Sequence, residues 1–183
     1  MRENDVDFDW LYKQTEDEST KQLISLIKED KIDIENKGPF QLQLGKYKIH
    51  ITPLGAICSL DIYQEHFKVN EHRKLDTFSG KDAQVIIDIG AHEGFYLLRT
   101  KDLNPECAII AVEPIPISFK LLEKNVKENN LKNVILENKA IAQNVKKITL
   151  EYVKENTALS GARLFGDRDY YLDKIKTIDI GAI

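Results

Sequence analysis

The 183-residue chain predicts an α/β fold: a parallel sheet with helices on both faces, preceded by a small helix and a β-hairpin. Three observations carry this. The apolar run Val85-Ile86-Ile87 leads through Asp88 and Ile89 into a glycine-bearing turn, Gly90-Ala91-His92-Glu93-Gly94. A second apolar run, residues 108–113, ends on Glu113-Pro114. Between residues 83 and 138, strand-like and helix-like segments alternate, the pattern of a βαβαβ unit.

The elements follow in order. Leu23, Ile24, Leu26 and Ile27 have the spacing of an amphipathic helix over residues 20–31, which Lys37-Gly38-Pro39 follows as a break. Gln41-Leu42-Gln43-Leu44 alternates, Gly45-Lys46 turns, and Tyr47, Ile49 and Ile51 alternate again, which reads as a β-hairpin. Pro53-Leu54-Gly55 makes a further turn, residues 56–63 read as a strand, and residues 64–81 as loop and helix. Then come strand 85–89, helix 95–102, strand 108–113, helix 117–129 with Leu121, Leu122 and Val126 as its inner stripe, and strand 134–138. Right-handed crossovers place these three strands side by side in chain order. Strands are expected at 147–153 and 174–180, and the long connection 157–169 reads as a loop or flap. Residues 1–82 are thus an N-terminal extension packed on a core formed by residues 83–183.

Composition narrows the function. Hydrophobic residues make up 42% and charged residues 31%, as expected of a folded globular chain. A net charge of −4 argues against a broad grip on a nucleic-acid backbone, which relies on many lysine and arginine contacts. No apolar stretch approaches the roughly 20 residues that span a bilayer, and the N-terminus MRENDVDFDW is acidic, so the protein is expected in the cytoplasm. Cys58 and Cys107 belong to no CxxC or Cys/His cluster, so no metal site is expected and both read as core residues.

The turn reads Asp88-x-Gly90-Ala91-x-x-Gly94, which departs from the dinucleotide fingerprint G-x-G-x-x-G at its second glycine. Glycines let backbone approach a ligand, and Glu113 at the next strand end has the two oxygens needed to accept ribose hydroxyls. Asp88 would repel a pyrophosphate but suits a cation such as the ammonium of S-adenosylmethionine. Glu93 reads as a solvated acid favoured by the helix dipole.

The segments VIIDIGAHEGFYLL and AIIAVEPIPISFKLLEKNVKENNLKNVILENKAIA resemble the FkbM family of Rossmann-like S-adenosylmethionine-dependent methyltransferases, over about residues 84–150 and more loosely over residues 62–73. The resemblance implies that Gly90, Ala91, His92 and Gly94 line the methionine part of the cofactor, with Asp88 near its amino group. Glu113 would hold the ribose. Pro114 and Ile115 would lie beside the adenine, with Asn138 and Ala140 at its edge. His92 departs from the family, which usually has asparagine there. The implied reaction is O-methylation of a small-molecule or glycan hydroxyl, and no residue stands out as its base.

The family's sheet normally continues with further strands, whereas this sequence stops at Ile183. Residues 174–183 fit the short strand before the fourth core strand better than that strand itself, which would put Asp179 in the catalytic region. Either placement leaves an open sheet edge beside the first core strand, to be covered by the hairpin or by a second copy or a partner chain, or left bare in a truncated product. Self-association is the expectation. The alternatives to a complete enzyme are a partner-dependent, non-catalytic cofactor-binding subunit and, against the charge, an RNA methyltransferase; an NAD-dependent oxidoreductase fits the glycines less well.

Overall fold

A computed structural model of the chain describes residues 6–31, 38–69, 83–141, 146–153, 156–161 and 175–181. It is a mixed α/β structure. Among the described residues no helix is long and apolar enough to cross a membrane.

Two short helices open the chain. Asp7 caps α1 (Phe8–Lys13) by accepting from the Trp10 N–H, and Asp17 caps α2 (Glu18–Lys28) by accepting from the Thr20 N–H. These caps satisfy helix-start amides, so α2 begins at Glu18, two residues before the expected start at residue 20. The hairpin forms as expected from β1 (Phe40–Leu44) and β2 (Tyr47–Ile51), antiparallel across a turn in which Gly45 adopts a left-handed φ of 56°. Thr20 Oγ1 accepts from Gln43 N at 2.8 Å and ties α2 to the hairpin.

Residues 56–63 are not a strand. They lie in helix α3 (Ala56–Gln64), whose buried residues are Ala56, Ser59, Leu60, Tyr63 and Gln64. That spacing is the stripe of a helix, but two of its five members are polar, so hydrophobicity alone concealed it. A π-helical turn, Glu65–Val69, continues α3 and stacks Phe67 on Tyr63 with ring centres 4.5 Å apart.

The parallel sheet contains β3 (Val85–Ile89), β4 (Ala108–Val112) and β5 (Val134–Glu137), side by side in that order as expected. Helices α4 (Phe95–Leu103) and α5 (Pro116–Glu128) connect them. Leu97 of α4 and Leu122 of α5 pack with Ile86, Ile109, Ala111 and Leu136, so both helices cover the same face of the sheet. This corrects the expectation of helices on both faces. Two successive crossovers in one direction place their helices on one side, and among the described residues nothing helical buries the other. There Val85, Ile87 and Ile89 are 57–64% exposed, and Ile135 is 57% exposed.

The remaining strands form a separate antiparallel sheet. Strands β6 (Lys147–Val153), β7 (Asn156–Gly161) and β8 (Ile175–Gly181) are ordered β7-β6-β8. Because β8 pairs with β6 along its whole length, it is not a fourth strand of the parallel sheet, and Asp179 lies opposite Thr149. The first part of the expected flap, residues 157–161, is strand; residues 162–169 lie outside the described residues, as do residues 70–73 of the looser family resemblance.

The hairpin does not cover the edge of β3. Its own free edge, on β2, docks on α5 through two asparagines one helical turn apart. Asn129 Oδ1 accepts from Lys48 N at 3.0 Å and Asn129 Nδ2 donates to Lys48 O at 2.7 Å. Asn125 repeats the pattern with His50, at 2.6 and 3.1 Å. Side-chain amides at i and i+4 therefore stand in for a third strand. Asn125 is 1% exposed and also donates to Glu93 O at 2.8 Å, so Asn125→Ala leaves three buried backbone groups without their partner. We expect a loss of about 2–4 kcal/mol in denaturant unfolding, against less than about 1 kcal/mol for Asn129→Ala at the rim. Equal losses would show that Asn125 is not the main fastening.

Candidate functional site

The glycine turn stands at the C-terminal ends of β3 and β4, the end of a parallel sheet at which α/β proteins bind ligands. Gly90 N and Ala91 N donate to Val112 O at 2.8 and 3.0 Å, which holds the turn against the end of β4. Three of its residues adopt left-handed backbone: Gly90 at φ 78°, His92 at 51° and Gly94 at 89°. Asparagine and histidine tolerate that region better than most side chains, which explains why histidine serves at position 92 where the resembled family has asparagine.

The two glycines are needed for different reasons. A Cβ on Gly94 would lie 2.6 Å from Leu122 Cδ1, so glycine lets α4 start directly against α5. A Cβ on Gly90 would meet nothing within 4 Å and would project into open space at the strand end.

Around this turn sit three carboxyls and one imidazole. Glu113, 4% exposed, accepts from His92 N at 2.9 Å through Oε2 and from Ile115 N at 2.7 Å through Oε1. Burial, helped by the Asp88 charge, pushes its pKa up to about 7 against the pull of those two amides. Burial alone pushes Asp88 up to about 6, and its Oδ2 is buried with no hydrogen-bond partner among the described residues. His92 is driven down to about 4 by burial and is neutral at pH 7.

Glu93 departs most from expectation. It is not a solvated acid at the helix start: its exposure is 0%, and Oε1 accepts from Thr52 N at 3.0 Å. Burial, with a smaller push from the Glu113 charge, raises its pKa to about 8, while the Ser59 hydroxyl and the Thr52 amide act the other way.

The structure thus brings Asp88, Gly90, Ala91, His92, Gly94 and Glu113 together in one turn and strand end. The expected adenine side is arranged differently. Asn138 Nδ2 donates to Glu113 O at 2.8 Å and Pro114 O at 3.2 Å, so its amide nitrogen braces the segment after β4. Ile115 is fully buried and packs with Ala140, itself 6% exposed, and with Leu150, so these side chains back this side of the site from within. Half-buried Pro114 remains at the surface. Thr52, Ser59 and Asn125 were missed as neighbours of the turn. The available signal was Asn125, a polar residue set among Leu121, Leu122 and Val126 on the inner stripe of its helix. A cavity of about 430 Å³ lined by Lys46, Lys48, Lys101 and Asn129 includes no residue of the turn.

The chain matches no protein-family model and shows no significant similarity to a curated protein.

Two predictions follow from this geometry. Gly94→Ala should cost about 2–4 kcal/mol, because strain adds to a clash with a core leucine, whereas Gly90→Ala should cost only the left-handed backbone penalty of about 1–2 kcal/mol. Unfolding curves of the two variants provide the comparison. The second concerns pH. Asp88, Glu93 and Glu113 hold protons more tightly folded than unfolded, so their contribution is complete below the unfolded values near pH 4 and is lost as pH rises through about 6, 7 and 8. The unfolding midpoint should therefore fall from pH 5 to pH 8, and Asp88→Asn should flatten the lower part of that fall.

Proposed function

We propose that the chain is a cytoplasmic S-adenosylmethionine-dependent methyltransferase with a Rossmann-like sheet, similar to the FkbM family and acting on a hydroxyl of a small molecule or glycan. The observation that supports this most is the buried Asp88 Oδ2, which has no hydrogen-bond partner among the described residues, set beside the open, left-handed Gly90 at the C-terminal end of a parallel strand. An orphaned buried carboxylate oxygen is an acceptor awaiting a donor, and a cationic donor would favour the ionised Asp88 that burial otherwise disfavours. The residues present fit the amino group of the cofactor. They fit a pyrophosphate poorly, since Asp88, and Glu113 once ionised, would repel it.

In this reading Asp88 takes the ammonium, and the Gly90-Ala91 backbone lies along the methionine chain. Each oxygen of Glu113 already accepts one amide, which fixes the carboxylate plane and leaves one lone pair on each oxygen for the ribose hydroxyls. Asn138 holds the Glu113-Pro114 backbone in place beneath the nucleoside. The cofactor supplies an already activated methyl group, so the chain's task is alignment of donor and acceptor.

Calorimetric titration with S-adenosylhomocysteine tests this. Binding is expected, weakened by about 1–3 kcal/mol in Glu113→Ala through loss of a buried acceptor. No binding by the wild-type chain would overturn the cofactor assignment. The sheet face carrying Val85, Ile87 and Ile89, exposed among the described residues, favours a second reading, a cofactor-binding subunit completed by another chain. Cofactor binding without turnover on hydroxyl acceptors, with turnover restored by a partner chain, would select it.

A further inference from the structure

The corner between β2 and α3 meets the glycine turn at the Glu93 side chain. Thr52, immediately after β2, donates its N–H to Glu93 Oε1, while Asn125 holds both Glu93 O and the backbone of His50. The next residue back, His92, donates its N–H to Glu113 Oε2. A continuous set of hydrogen bonds therefore runs from the hairpin, through the turn, to the carboxylate assigned to the ribose.

We propose that Glu93 is a positioning residue that fastens the β2–α3 corner to the turn through a neutral carboxyl, and that deprotonating it disfavours occupancy of the nucleotide site. The link to occupancy rests on the cofactor reading above; the fastening does not. With Thr52 and Ser59 as its immediate polar neighbours, Glu93 has no cation among the described residues to balance a negative charge, as the groups around it show. Cys58 on α3 is a thiol pushed up to about 11 by burial and by the charges of Glu93, Asp61 and Glu65. His92 is kept neutral by burial, and His50 on β2, on the far side of Asn125, is lowered by burial and by the Lys124 charge. Glu113 repels a second negative charge directly.

Occupancy sharpens the conflict. Accepting ribose hydroxyls favours the ionised form of Glu113, and a bound nucleoside removes water from the turn. Both effects make a charge on Glu93 less tolerable in the occupied site than in the empty one. Binding should therefore retain the proton on Glu93 and weaken once the empty site loses it, above about pH 8.

The experiment compares wild type with Glu93→Gln, which keeps an acceptor for Thr52 N and cannot ionise. In titrations with S-adenosylhomocysteine, the two should agree within about twofold at pH 7, and wild type alone should lose about fivefold in affinity between pH 8 and pH 9. The same alkaline loss in both proteins would overturn the link to occupancy. Ligand-free unfolding provides the second arm: the midpoint of Glu93→Gln minus that of wild type should widen from pH 5 to pH 8 and then hold. A constant difference would overturn the neutral fastening. If neither protein binds the nucleoside at any pH while the midpoints diverge as stated, the cofactor reading fails and the fastening stands.

Discussion

The carboxamide of Asn125 is the contact on which the rest of the structure turns. It lies on the buried face of α5, where its oxygen accepts from His50 N and its nitrogen donates to His50 O and Glu93 O. One side chain thus satisfies the edge of the hairpin and the glycine turn together. Without it, these backbone groups would be buried and unpaired, a cost that apolar packing around Leu121 and Leu122 does not relieve. The hairpin is consequently part of the wall behind the site.

Electrostatics in the turn follow from that wall. Docking the hairpin and α3 against the turn removes water from Glu93 completely and from Glu113 almost completely. Carboxyls so placed resist ionisation, and the nearby amides of Thr52, His92 and Ile115 offset only part of the effect. The result is a turn in which three carboxyls stand close together with their ionised forms disfavoured. This is also why the turn tolerates acids where a phosphate-binding loop would have glycine and lysine.

The parallel sheet is built asymmetrically. Both crossover helices lie on one face because both connections run the same way, and the opposite face keeps its isoleucines and valine near solvent among the described residues. Strand β8, which might have extended the sheet beside β3, pairs with β6 instead. The positions of β3 and β4 that shape the site are nevertheless set by their own pairing and by α4 and α5.

Much was legible in the linear chain. Alternation and glycine placement identified the hairpin, the three parallel strands, their two helices and the turn, because these depend on local periodicity and on backbone that only a few residues adopt. The gathering of Asp88, Gly90, His92, Gly94 and Glu113 followed from strand ends meeting in a βαβ unit. Three things were decided only by tertiary structure. Helix α3 was hidden because its buried stripe includes Ser59 and Gln64, whose burial depends on partners far away in sequence. The pairing of β8 with β6, and not beside β3, depends on contacts that the local pattern of the chain does not carry. The state of Glu93 depends on Thr52, 41 residues distant, closing over it, since a carboxyl's charge is set by the water and dipoles around it in space and not by its neighbours along the chain.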